Sequence, residues 1–252
     1  MKIDVDNTII KLRLWDFGGQ EIMHATHRFF LSKRSLYILV LDGRKDEKTE
    51  YWLNHIESFG GASPVMVVLN KIDENPGFDV NRKFLREKYR GIKGFYRVSC
   101  ATGDGIKEFT HELKQAVDAV EIKSTPWGRA WFQVKQRLEN MKEDFISYKE
   151  YRQLCGDANV PDNAGRETLV EFLNDLGVIV HFKDLELNDT HILQPRWVTE
   201  AVYKIINSPR LASGKGVLDP DHLPGILKKK RVDDFEYPPE KYRFITGLSC
   251  WK

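Results

Sequence analysis

Three short strings carry residue types that could handle a nucleotide. The first is Trp15-Asp16-Phe17-Gly18-Gly19-Gln20-Glu21. An acid at the end of a strand can hold Mg²⁺ through water, and a glycine three residues on lets a backbone N–H approach a γ-phosphate. By itself D-x-x-G arises about once by chance in a chain this size. Asp162 and Gly165 form a second match, with no apolar strand before it. The second string is Asn70-Lys71-Ile72-Asp73, directly after the apolar run Pro64–Leu69. A carboxylate at Asp73 can accept hydrogen bonds from the N1–H and exocyclic amine of guanine, a donor pair that adenine lacks. Asn70 can bond the base edge or tie loops together, and the stem of Lys71 can lie along the base. The third is Val98-Ser99-Cys100-Ala101, followed by Gly103-Asp104-Gly105. A small residue there lets a backbone N–H reach the guanine O6.

Elements of the right kind precede each string. Ile9–Trp15 alternates apolar and polar residues, as a half-buried strand does. Ser35–Leu41 and Pro64–Leu69 are continuous and rich in branched residues, suiting strands buried on both faces of a parallel sheet, and Phe95–Val98 is a fourth candidate. Helical stretches fall near Glu47–Phe59, Asp79–Tyr89 and Ile106–Val120. Strands alternating with helices predict an α/β unit whose ligand lies at the carboxyl ends of the strands, where all three strings fall.

The pattern changes near Glu121. Ser124-Thr125-Pro126 breaks the chain, and a helix over Trp127–Met141 follows, with large apolar residues at 127, 131, 134, 138 and 141 on one face. Helices are predicted near Tyr148–Leu154, Arg166–Leu176 and Trp197–Ile206, with Gly177 as a helix C-cap. Val178–Phe182 and His191–Leu193 read as a short hairpin. Three helices and a hairpin give a winged-helix-like order. The predicted domains are 1–122 and 123–252.

Composition excludes several classes. The 252 residues are 41% hydrophobic and 30% charged, enough for sizeable cores in a soluble chain. Lys and Arg number 39 against 37 Asp and Glu, a net +2 that gives little attraction to nucleic acid phosphates. The apolar runs are five or six residues, whereas a membrane-spanning helix needs roughly 20. Cys100, Cys155 and Cys250 are odd in number and widely spaced, which fits a reducing cytoplasm. His24 and His27 lack a third ligand, and Lys228–Arg231 is followed at once by Asp233-Asp234, as at a solvated helix end.

The order and spacing of the three strings resemble those of Ras-like small GTPases. The string DFGGQEIMHATHRFFLSKRSLYILVLD closely resembles the Roc domain of Roco proteins, and Ile192–Tyr203 (ILQPRWVTEAVY) is similar to the start of the COR domain that follows it. The resemblance implies a partial Ras-like G domain, a mostly parallel sheet with flanking helices, followed by a mainly helical, winged-helix-like COR domain. It implies GTP/GDP and Mg²⁺ as ligands of the complete protein. Asp16, holding Mg²⁺ through water, and Gly19 take the switch II roles. Gln20 stands where the water-orienting catalytic glutamine stands. Asn70, Lys71 and Asp73 select guanine, and Ser99, Cys100 and Ala101 form the last base-contact loop. Implied partners are protein partners, such as leucine-rich repeats or other domains of a longer chain, and a second copy through a further COR lobe.

The sequence departs from that pattern in several respects. No G-x-x-x-x-G-K-[ST] occurs; at Gly214-Lys215, Pro209 and Gly216 stand where glycine and Ser/Thr are required. Met1–Asp6 resembles the strand after switch I, so the chain reads as starting inside the G domain and stopping within COR. Without a phosphate cradle, nucleotide binding is expected to be weak and hydrolysis slight. The competing expectation is a nucleotide-independent protein-interaction module.

Overall fold

The computed structural model describes residues 2–5, 8–17, 30–43, 48–118, 128–160, 162–182 and 189–249. The chain divides into two compact units. The first comprises Met1–Leu14 and Leu31–Pro126, the second Trp15–Phe30 and Trp127–Lys252.

In the first unit, β1 (Lys2–Val5) and β2 (Thr8–Lys11) form an antiparallel hairpin. Strands β3 (Tyr37–Asp42), β4 (Val65–Asn70) and β5 (Ile92–Arg97) make a parallel sheet with β4 in the middle. Parallel strands need crossover connections, and α1 (Thr49–Gly60) and α2 (Arg82–Lys88) supply them. Both pack on one face, where Leu53, Ile56 and Leu85 close over Leu39, Leu41, Val67 and Leu69. All five of Val65–Leu69 are buried, which is why this run shows no polar alternation. On the other face, α3 (Ile106–Asp118) sets Phe109 edge-on to Tyr96 at 5.5 Å. Its far end joins Leu113 and Val117 to Leu12 and Leu36. Among the described residues β3 has a strand on one side only, and on the face away from α1 its Ile38 and Val40 are 39% and 55% exposed.

Two of the strand boundaries differ from the sequence expectation. The strand read at Ile9–Trp15 is Thr8–Lys11, and the one read at Phe95–Val98 starts earlier, at Ile92. Lys93 and Gly94 interrupt the apolar run and hide its first turn from periodicity.

The second unit is mainly helical. Helix α4 (Arg129–Asn140) buries Val134 and Leu138, and its Trp131 ring lies 6.2 Å from Phe172. Trp127 lies outside the described residues. Helix α5 (Tyr148–Asp157) starts at a capping box: Ser147 Oγ accepts from the Glu150 amide, and the Glu150 carboxylate accepts from the Ser147 amide. Helix α6 (Asn163–Asp175) is capped by Asp162, whose carboxylate accepts from the Gly165 amide at 2.6 Å. The second D-x-x-G match is therefore a helix cap. Gly177, at φ +62°, turns the chain after α6, and the Trp15 indole packs so close that an added Cβ would stand 3.0 Å from its Nε1.

The expected hairpin is different in detail. Thr190–Ile192 forms β7, but its antiparallel partner is β6 (Phe145–Ser147); Val180 contributes one bridge to Ile192. A three-residue strand leading straight into a capped helix is too short to show a period of two. Helix α7 (Pro195–Ile206) buries Trp197, Val198, Ala201, Val202 and Ile205. Short helix α8 (Pro209–Ser213) follows, its end marked by Gly214, the glycine of the false phosphate-loop match. Helices α9 (Leu223–Leu227) and α10 (Tyr242–Ser249) close over α7.

A buried polar row crosses this unit. Thr190 Oγ1 accepts from the Lys241 ammonium at 2.6 Å. Next to it, His191 is fully buried and neither ring nitrogen has a hydrogen-bond partner. Its ring stands edge-on to Tyr151 and His181, at 5.0 and 5.1 Å. Burial first, and His181 second, push the His191 pKa down to about 3. Because the folded state refuses a proton that the unfolded chain accepts below about 6.5, this group costs no stability above that pH and an increasing amount below it. Urea unfolding followed from pH 7.5 to 5 should show stability falling by up to about 1.4 kcal/mol per pH unit from this residue. His191→Phe should remove that part of the slope.

Candidate functional site

The carboxyl ends of β3, β4 and β5 meet at one edge of the first unit, because parallel strands all run the same way. Asp42 and Asn70 are register partners in the last rung of β3 and β4. Beyond that rung the chain leaves β4 through Lys71, a non-glycine residue at φ +64°. That conformation is uncommon and requires external support. It receives it twice: the Lys71 amide donates to Asn70 Oδ1 at 2.8 Å, and the Lys71 ammonium pairs with Asp42 Oδ2 at 2.8 Å. The turn closes with the Glu74 and Asn75 amides donating to the Lys71 carbonyl. Asn75 Nδ2 then donates to the Gly43 carbonyl, fastening the turn to the end of β3.

The loop after β5 is tied to the same point. The Cys100 amide donates to Asn70 Oδ1 at 3.1 Å, so one amide oxygen accepts from both loops. Of the two roles the sequence left open for Asn70, the loop tie is seen in the structure, made by Oδ1. Ser99 is buried, and its Oγ accepts from the Thr102 amide. Gly105, at φ +71°, brings the chain against the end of β5, where a Cβ would stand 2.1 Å from the Arg97 carbonyl oxygen. Only glycine fits there.

What remains unengaged defines the chemistry. Asp73 is exposed, and its carboxylate has no hydrogen bond or ion pair among the described residues. Ala101 is exposed, and its N–H makes no backbone bond there. The edge thus presents a carboxylate acceptor and an N–H donor, held by loops braced through Asn70.

Asp42, Asn75 and Arg97 were missed in the sequence. Arg97 donates to the Phe78 carbonyl at 2.6 Å and to the Pro76 carbonyl, pinning the segment after the Asn70–Asp73 turn. Asp42 ends an apolar run as Asn70 does, which was the available signal.

Asp16 belongs to the second unit and is exposed. Its neighbours are anchored there: Trp15 stacks on Phe30 at 4.9 Å, Phe17 lies 5.9 Å from Phe30, and Trp15 and Phe30 pack against the core around Trp197. Gly19, Gln20, His24 and His27 lie outside the described residues. Among the described residues no three His, Cys, Asp or Glu side chains gather as for a metal ion. A lone exposed carboxylate fits Mg²⁺ that keeps its waters and takes its other ligands from phosphate.

An α/β unit with a parallel sheet, followed by a helical unit, defines a partial Ras-like G domain joined to a second domain. Comparison with known proteins agrees. A family model described as "Ras of Complex, Roc, domain of DAPkinase" matches residues 1–73, and one described as "C-terminal of Roc, COR-A domain" matches residues 128–249. The solved structure of Methanosarcina barkeri Roco2 RocCORdC bound to GDP is 59% identical, with a TM-score of 0.92 over 98% of this chain and 77% of that one. The chain belongs to the Roco family, with a GTPase-like Roc domain and a COR domain. It is also 32% identical, over 87% of its length, to the probable serine/threonine-protein kinase roco5 of Dictyostelium discoideum, and 27% identical over 88% to the Roc-COR-CHAT protease of Runella zeae. It spans only 8% of the former relative and 26% of the latter. No helix among the described residues is long and apolar enough to cross a membrane.

The double acceptance at Asn70 Oδ1 makes Asn70→Ala a test of the edge. Losing one shared acceptor should cost about 1–3 kcal/mol. Amide exchange at Lys71 and Cys100 should accelerate together, while amides of β4 stay protected.

Proposed function

We propose that this chain carries the guanine-recognition part of a Roco-type GTP/GDP switch. The observation that carries the reading is the pairing of an unengaged Asp73 carboxylate with a free Ala101 N–H on one braced edge. In this reading Asp73 accepts from guanine N1–H and the exocyclic amine, and the Ala101 amide donates to O6. The stem of Lys71 lies along the base, while Asn70, Ser99 and Cys100 hold the two loops in place.

The remaining roles concern the complete protein. In it Asp16 would hold Mg²⁺ through water, the Gly19 N–H would face the γ-phosphate, and Gln20 would orient the attacking water. The metal would supply charge neutralisation between the phosphates. Trp15 and Phe30, packed on the helical core, are the means by which ordering around Asp16 reaches COR. Partners of the complete protein are other domains of the longer chain and a second copy. The domain division proposed is Roc over 1–122 and the N-terminal part of COR over 123–252.

The sequence contains no G-x-x-x-x-G-K-[ST] string, so affinity of this chain alone should be feeble. Calorimetry with Mg²⁺ should give GTP and GDP dissociation constants weaker than about 1 μM, with ATP weaker still. Micromolar or tighter GTP binding would overturn the expectation of weak binding, and no guanine preference at any concentration would favour the nucleotide-independent module. With a segment carrying G-x-x-x-x-G-K-[ST] restored ahead of residue 1, Asp73→Asn should move preference from guanine toward xanthine by about tenfold or more, because an amide offers one donor to the xanthine O2 carbonyl. Retained guanine preference in that variant would remove Asp73 from the base contact.

A further inference from the structure

A cleft of about 550 Å³ opens in the helical unit, between the start of β6 and the segments that flank α9 and α10. Asp144 lines it. The Asp144 carbonyl accepts from the Leu193 and Gln194 amides, both at 2.9 Å, so the backbone alone fixes this residue in place. Its carboxylate, by contrast, has no hydrogen bond and no ion pair among the described residues, although the residue is half-buried. Burial raises its pKa above the ordinary aspartate value. A desolvated carboxylate without a partner is costly unless a ligand supplies one.

The other linings suit a flat cation. Tyr242 and Pro238 give flat walls, while the Phe145 and Tyr237 rings, also in the lining, are already packed by Trp197 and by the ammonium groups of Lys241 and Lys204. Two other charged residues of the lining, Glu236 and Lys229, pair with each other at 3.3 Å. Lys228 is exposed and has no partner among the described residues. Lys241 is engaged by Thr190 Oγ1 and the Phe145 ring and does not line the cleft. After internal pairing, one anionic and one cationic position are left open.

We infer that this cleft receives an arginine side chain of a partner polypeptide, its guanidinium on the Asp144 carboxylate and against Tyr242 and Pro238, with an adjacent acidic residue on Lys228. Arginine fits better than lysine because a planar guanidinium can bond a carboxylate through two N–H groups and stack on flat side chains at once. The volume falls within the range of small-ligand pockets and exceeds one side chain, leaving room for the flanking backbone. The partner is thus an extended segment carrying Arg next to Asp or Glu.

The test is an amide NMR titration of the full chain with the blocked tripeptide acetyl-Pro-Arg-Glu-amide. Two comparison probes are acetyl-Pro-citrulline-Glu-amide, a neutral near-isostere, and agmatine, which has the guanidinium without the backbone. Saturable shifts are expected at Phe145, Lys228 and Tyr242. Citrulline in the peptide, and Asp144→Asn in the protein, should each weaken binding about tenfold or more. Lys228→Gln should weaken it about two- to fivefold. Equal affinity for the citrulline peptide, or absence of shifts in the cleft, would overturn the site. Agmatine binding as tightly as the tripeptide would overturn its assignment to a polypeptide. The citrulline arm leaves the protein unchanged, so it stands whether or not the Asp144 variant folds.

Discussion

One amide oxygen governs the functional edge of the first unit. Asn70 Oδ1 accepts from Lys71 on one loop and from Cys100 on another thirty positions away in sequence. The strands bring the loops to one side, but parallel pairing fixes only the rungs, and nothing in a sheet ladder determines the course of the chain after its last rung. The bridge does that. It holds Lys71 in a left-handed conformation, and the Asp42 pair takes up the side chain. Among the described residues the Asp73 carboxylate and the Ala101 N–H take no part in this bonding, which their neighbours have absorbed.

The second unit solves a different problem. It has two apolar clusters, one around Trp197 and one around Tyr151, and the β6–β7 ribbon runs between elements of both. Ile192 and Ile146 from that ribbon lie in different clusters. Polar groups in such a place need partners, and Thr190 and Lys241 supply each other's. His191 does not fit that rule; it is accommodated as a neutral ring among aromatic edges.

Much of this was legible in the sequence, and the reasons are specific. Val65–Leu69 announced a strand because every residue is buried, and the Asn70–Asp73 motif followed at its end. The stripe at 131, 134, 138 and 141 announced α4, because helical spacing survives in surface helices. What escaped were features with no periodicity. Strand β6 is three residues long and owes its existence to Thr190–Ile192, more than forty positions on. The loop tie made by Asn70 depends on where Cys100 lies in space. Asp162 and Asp16 head the same short pattern, and only the helix that starts at Asn163 separates a cap from a candidate metal ligand.

Strand β3 carries a consequence of another kind. Among the described residues it pairs with a strand on one side only, and Ile38 and Val40 are partly exposed on the face away from α1. An edge of this sort is a template for any extended chain that meets it, and apolar side chains beside it favour staying. Wherever such a side is left open, strand-to-strand adhesion can begin, and a lysine in place of Val40 is the kind of gatekeeper that natural sheets use against it.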